Sequence, residues 1–173
     1  MAFPIAHGLL GATVLILTAG DGKEINYKRI ALGAFLGVLP DFDYLLNFLK
    51  IGGGGWHHGF SHSLMFALIT GLIIAFVIRD FNLKTIFGLS LATASHGILD
   101  FFITESKGIA LLSPFTNYRF KLDLSSPIDY RWADESKAQI VFNILQICLI
   151  ELIIFLPFLL IVIWFRQKSY KNG

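Results

Sequence analysis

The sequence predicts an all-α polytopic membrane protein, a bundle of about five transmembrane helices with one long polar loop before the last helix. Hydrophobic residues make up 55% of the 173 and charged residues only 15%, where an ordinary soluble domain has roughly a quarter charged. The mean hydropathy is +0.67. The apolar residues also gather into runs of about 20, the length needed to cross a hydrocarbon core about 30 Å thick.

The chain reads as a single integral membrane domain over residues 1–173, with spans at about 3–19, 29–48, 62–78, 84–103 and 139–165 and a loop at 104–138. The first run starts at Phe3 and ends at the polar turn Gly20-Asp21-Gly22-Lys23-Glu24. Its N-terminal side lacks the positive stretch of a cleavable signal peptide, so it is expected to stay as a permanent span. The second follows Lys28-Arg29, and the third runs from near His62 to Ile78, before Arg79-Asp80. Between them Gly52-Gly53-Gly54-Gly55 forms a flexible link. The fourth span starts at Lys84 and ends near Ile103. Pro114, Pro127 and mixed charges then suit a surface loop with short irregular elements, placed to act as a lid. The fifth span is the longest and stops at Arg166-Gln167-Lys168.

The charge balance of +2 comes with no basic stripe or recognition motif, which excludes a nucleic-acid partner. The single cysteine, Cys148, allows no internal disulfide and leaves the redox compartment open. The first and third loops and the C-terminal tail carry eight basic residues, whereas the short loop on the other side has Lys50 alone. Short loops weigh most in the positive-inside rule, so the N-terminus is expected outside and the C-terminus inside.

The polar residues are placed unevenly. His7 lies near the start of span one, and Asp41 and Asp43 toward the end of span two. His57, His58 and His62 enter span three, and His96 and Asp100 lie toward the end of span four. In a path that alternates direction, all five histidines fall on one side of the membrane. Helical rise puts Asp41 and His96 about 10 Å below the edge of the core, in a recess of the outer leaflet. An Asp at the centre of a membrane helix costs roughly 2.5–3.5 kcal/mol to insert. A divalent cation would offset the carboxylates, with imidazoles completing its coordination. The mixture of His and Asp favours zinc, manganese or iron over calcium.

His96 and Asp100, four apart, share a helix face and can act as ligand pair or as ligand and orienting partner. Asp41 and Asp43, two apart, would face apart on a regular helix unless Pro40 breaks it. His58 and His62 are also four apart, but Gly59 makes a continuous helix there uncertain. Singly, His7 reads as an interfacial polar residue, the aspartates as helix caps and His57-His58 as solvated loop. Chance would not send every histidine to one side. Glu151 reads as a helix-packing or inner-leaflet feature, Asn143 and Gln146 as interhelical hydrogen-bonding groups, and Gly33 and Gly37 as a close helix contact.

At these residues the sequence resembles the YdjM-like family of predicted membrane-bound metal-dependent hydrolases. The resemblance lies in Ala6-His7, Leu39-Pro40-Asp41-Phe42-Asp43, His57-His58-Gly59-Phe60-Ser61-His62-Ser63 and His96-Gly97-Ile98-Leu99-Asp100. It continues weakly at Gly108 and Leu112-Ser113-Pro114-Phe115, and covers about the first two thirds of the chain. It implies a metal-dependent hydrolase with phospholipase-like activity, its motif positions falling on His7, Asp41, Asp43, His57, His62, His96 and Asp100. One departure is His58, where the family usually has arginine. A phosphate held by that arginine would be held less strongly by an imidazole. Ser61 replaces a common threonine.

The resulting expectation is hydrolysis of a phosphoester in a lipid or lipid-linked substrate by a metal-activated water, at the outer face of a plasma or inner membrane. His7, Asp41, His57, His62, His96 and Asp100 are the expected ligands of one or two ions, zinc first and manganese or iron as alternatives. Asp43 is expected as the general base or a further ligand, and His58 to stabilise developing charge. No nucleophilic serine or cysteine is implied, and the HExxH pattern of metalloproteases is absent. The rival is a metal-ion or proton transporter using the same cluster, although such sites usually lie near the midplane between repeats. A scaffold with a closed structural metal is a third reading.

Overall fold

The computed structural model describes residues 4–18, 25–51, 57–103, 107–122, 124 and 136–172, without the side chains of residues 171 and 172. The polar turn at residues 19–24, the four-glycine link and the whole segment from 125 to 135, with Pro127, lie outside the described residues.

The described residues are helical throughout, apart from loops and one isolated antiparallel bridge between Ile109 and Phe120. The helices are α1 (Pro4–Leu17), α2 (Tyr27–Val38), α3 (Asp43–Phe48), α4 (Leu64–Val77), α5 (Leu83–Ile103) and α6 (Lys137–Asn172). A 3-10 turn at Leu39–Phe42 joins α2 to α3, so Tyr27–Phe48 forms one column of 22 residues. This column, α5 and Lys137–Tyr170 of α6 are long and apolar enough to cross a membrane. Helices α1 and α4 have 14 residues each, about 21 Å of rise. A second 3-10 turn, Phe60–His62, precedes α4.

A helical column overlaps each expected span, but only three have the length and hydropathy of a crossing, and α6 continues to Asn172, beyond the expected end at 165. Asn26 starts α2 by accepting from Arg29 N at 3.1 Å, and Ser63 starts α4 by accepting from Phe66 N at 3.1 Å. Pro40 tightens the helix without ending it. Its first-turn position in the 3-10 segment requires no backbone N–H.

Small residues set the packing. A Cβ at Gly11 would fall 2.7 Å from Gly37 Cα, and one at Gly33 would fall 2.7 Å from Ala12 Cα. Helices α1 and α2 therefore pack backbone to backbone and antiparallel. Gly71 meets Ser90, and Gly97 meets the His62 carbonyl, so α4 and α5 are antiparallel as well. Helix α6 runs parallel to α1, with Glu151 at Ala6 and Leu159 against Ala12 and Ile16. Leu15, Leu36, Ala75, Leu89 and Ala92 form an apolar plug across the middle of the bundle. The alternation sends the start of α1, the end of α2, the start of α4 and the end of α5 to one end.

Candidate metal centre

All eight residues expected from the sequence come together at that end. Four of their atoms converge most closely: His62 Nε2, His96 Nε2, Asp41 Oδ1 and Asp100 Oδ2. The two nitrogens are 3.1 Å apart. Asp41 Oδ1 lies 3.3 Å from His96 and 3.7 Å from His62, and Asp100 Oδ2 lies 3.3 and 3.5 Å from the same atoms. Tetrahedral zinc with bonds of about 2.0–2.1 Å has ligands about 3.3–3.4 Å apart. The donor set therefore fits a first-row divalent cation.

The partners on the far side of each ring fix its tautomer. His96 Nδ1 lies 2.7 Å from the Gly37 carbonyl, which can only accept, so Nδ1 carries the proton and Nε2 is bare in the neutral ring. Ser61 donates its hydroxyl to Asp43 Oδ2 at 2.6 Å and lies 2.9 Å from His62 Nδ1. With its hydrogen committed, Ser61 accepts from His62 Nδ1, and His62 Nε2 is bare in the same way. The two imidazole nitrogens thus meet each other and a carboxylate oxygen from each of Asp41 and Asp100, and Asp41, His62 and His96 together have the spacing of metal ligands.

The remaining residues surround this centre. His7 stacks on His96 with centroids 3.8 Å apart and sets Nε2 3.4 Å from Asp100 Oδ1. His58 Nε2 lies 3.7 Å from Asp100 Oδ2. His57, His58 and His62 form a second group with metal-ligand spacing, and His7, His96 and Asp100 a third. His7 Nδ1 and His57 Nε2 are buried without a hydrogen-bond partner, a state costing about 1–3 kcal/mol per group unless a cation engages it. Asp43 stands behind the centre. It meets His57 Nδ1 at 3.0 Å and His62 Nδ1 at 3.4 Å, and accepts from Ser61, which is the position of an orienting carboxylate.

Most of the cluster is sealed. His62 and His96 side chains are inaccessible, whereas Asp41 is 19% and His57 15% exposed, so access to the centre lies beside these two. Tyr44 packs over His57 with centroids 3.9 Å apart. The loop at His57–Gly59 adopts a left-handed backbone at His58, φ 60°, which a glycine would accept more readily. Burial, helped by His57 and His62, pushes the His58 imidazole down to about 4. His58 is therefore neutral at physiological pH, a hydrogen-bonding group and not a cation.

Several contributors escaped the sequence reading. Ser61 was visible only as a motif position, and Tyr44 carried no spacing signal. Gly37 was legible as packing, but its carbonyl also holds His96. The segment after α5 is tied to the histidine loop by backbone bonds: Ala110 N to His58 O at 3.0 Å and Leu64 N to Leu111 O at 3.0 Å. Arg119 adds bonds from Nη1 to the carbonyls of Gly108 and His58, at 2.9 and 3.3 Å. Glu151 corrects an expectation. It is a helix-packing residue, but it accepts from Ala6 N at 3.0 Å beside His7, at the histidine end and not in the opposite leaflet. It satisfies an otherwise open first-turn N–H of α1.

Comparison with known proteins agrees with this placement in a membrane. The profile of the YdjM inner membrane protein family matches residues 1–170. Inner membrane protein YbcI of Escherichia coli (strain K12) is 31% identical over 116 residues, which cover 63% of this chain and 67% of that protein. No solved structure matches. An all-helical chain of this hydropathy, matched by this profile along nearly its whole length, is an integral membrane protein and belongs to the YdjM inner membrane protein family.

Proposed function

We propose that the protein is a membrane-embedded, metal-dependent hydrolase acting on a phosphoester of a lipid or lipid-linked substrate, with its centre toward the outer face. The observation that carries this reading is the convergence of the His62 and His96 Nε2 atoms, 3.1 Å apart, with carboxylate oxygens of Asp41 and Asp100 each within 3.3–3.7 Å of both. Asp41, His62, His96 and Asp100 would hold one cation, zinc first, and His7, His57 and His58 are close enough to help with a second. Such an ion supplies Lewis-acid polarisation of a phosphoryl oxygen and lowers the pKa of water.

The chain's own groups have separable roles. Gly37 and Ser61 keep the His96 and His62 rings turned inward. His7 holds the outer oxygen of Asp100, leaving the other for the centre. Asp43 is engaged by His57, Ser61 and His62, which favours an orienting role over that of general base. His58 offers a neutral ring to an anionic group. Five membrane crossings are consistent with the five helical columns, and the exposed Phe42, Tyr44, Leu45 and Phe48 surround the approach with apolar surface suited to lipid.

The transport reading is weaker, because the apolar plug of Leu15, Leu36, Leu89 and Ala92 separates the centre from the other end. The deciding experiment is metal analysis of the purified protein, together with turnover of phospholipids and small phosphate esters. Retained metal with phosphate or headgroup release that is lost in His96→Ala supports hydrolysis. Retained metal without turnover, but with ion uptake into proteoliposomes, would favour transport.

A further inference from the structure

At the end of the bundle opposite the histidines, a cavity of about 210 Å³ opens between α1, α2, α4 and α5. Its floor is apolar, formed by Leu15, Leu32 and Leu89, while Lys28, Arg29 and Lys84 line its polar part. Among the described lining residues these three cations meet one carboxylate, Asp80. That carboxylate accepts from Thr85 Oγ1 at 2.9 Å and Asn82 N at 3.2 Å. Arg29 Nη1 is buried with no hydrogen-bond partner. A guanidinium nitrogen removed from water in this way requires an acceptor, and its planar fork matches phosphate oxygens. The cavity also receives the N-termini of α2 and α5, whose first-turn dipoles favour negative charge.

We propose that this cavity is a binding site for a phosphate group, supplied by an anionic phospholipid of the leaflet on that side. Positive-inside topology alone accounts for basic residues near the surface, but not for three of them lining a cavity with an apolar floor around a guanidinium that has a buried, unpartnered nitrogen. The apolar floor points to a lipid over free phosphate, because glycerol and acyl carbons can lie on Leu15, Leu32 and Leu89 while Arg29 and Lys84 hold the headgroup phosphate. The site lies beyond the apolar plug from the metal centre and does not depend on the hydrolase reading.

The test uses the full chain in detergent, with phosphatidylglycerol, phosphatidylcholine or inorganic phosphate added. Lipid retention is read by native mass spectrometry and stability by thermal unfolding. Phosphatidylglycerol should be retained in preference to phosphatidylcholine and should raise the melting temperature. Arg29→Gln and Lys84→Gln should each weaken that retention by about fivefold. Leu32→Trp, which fills the cavity and keeps the charges, should weaken it as well. Lys84 is exposed, so its variant should fold, and a melting temperature equal to wild type without added lipid would verify that it has. Stabilisation and displacement of the lipid by millimolar inorganic phosphate would uphold the site and assign it a soluble source. Equal retention of both lipids, or wild-type retention in Arg29→Gln and Lys84→Gln, would overturn the proposal.

Discussion

Substituting Gly37 by alanine perturbs the centre through its scaffold and leaves every ligand in place. A Cβ there would collide with the His7 carbonyl oxygen and sit 3.1 Å from Gly11 Cα. Relief requires α1 and α2 to separate by about 1 Å, an overpacking change costing about 1–3 kcal/mol. That movement draws the Gly37 carbonyl from His96 Nδ1, its partner at 2.7 Å. Loss of such an orienting bond should weaken metal binding by about 10–100-fold. Gly33→Ala is the matched control. Its Cβ would meet Ala12 Cα at 2.7 Å and Gly11 O at 2.9 Å in the same interface, one turn further from the histidines. Competition of the purified variants for zinc against a chelator of known affinity, with thermal unfolding in parallel, separates the two effects. Both variants should melt earlier, and only Gly37→Ala should bind zinc more weakly. Equal weakening in both, or wild-type affinity in Gly37→Ala despite a lower melting temperature, would refute the coupling of this carbonyl to His96.

Other expectations follow from the same geometry. His96→Ala and Asp100→Ala should each abolish retained metal, and a metal content equal to wild type in both would remove them from the centre. Asp43→Asn should lower metal affinity by about 10–100-fold without abolishing it, as measured by the same competition; complete loss would instead mark Asp43 as a direct ligand. Glu151→Ala leaves the Ala6 N–H without its acceptor and should cost about 1–3 kcal/mol in unfolding free energy. An unchanged unfolding midpoint would show that the bond from α6 contributes nothing. Removing metal with a chelator should lower the melting temperature and adding zinc back should restore it, because ligands that bind only the folded state stabilise it; insensitivity to both treatments counts against a resident ion.

The sequence revealed the centre through topology. Histidines and aspartates at alternate ends of successive apolar runs must meet if the helices alternate, and the contacts of His7, Asp41, His62, His96 and Asp100 bear that out. The division of labour between Asp41 and Asp43 was less visible, because it depends on local helix geometry. On an α-helix two residues two apart point about 160° from each other, whereas on a 3-10 turn they point about 120° apart. The turn at Leu39–Phe42 therefore lets Asp41 reach the centre while Asp43 grips His62 from behind. Ser61 and Gly37 act through one hydroxyl and one carbonyl, and neither leaves a periodic trace. Glu151 was recognisable as a costly group in an apolar helix, but its partner is a backbone N–H 145 residues away. No spacing rule reaches that far.

The strap after α5 is held to the histidine loop and the start of α4 largely main chain to main chain, through Ala110 and Leu111, and is folded on itself by the Ile109–Phe120 bridge. Bonds of that kind are indifferent to side-chain identity except where conformation is special, as at Gly108 with φ 86°. Residues such as Leu112, Phe115 and Tyr118, which face outward, are therefore free to drift without loosening the clasp. Sequence change along the outer surface of the strap is thereby uncoupled from the packing of the histidines behind it.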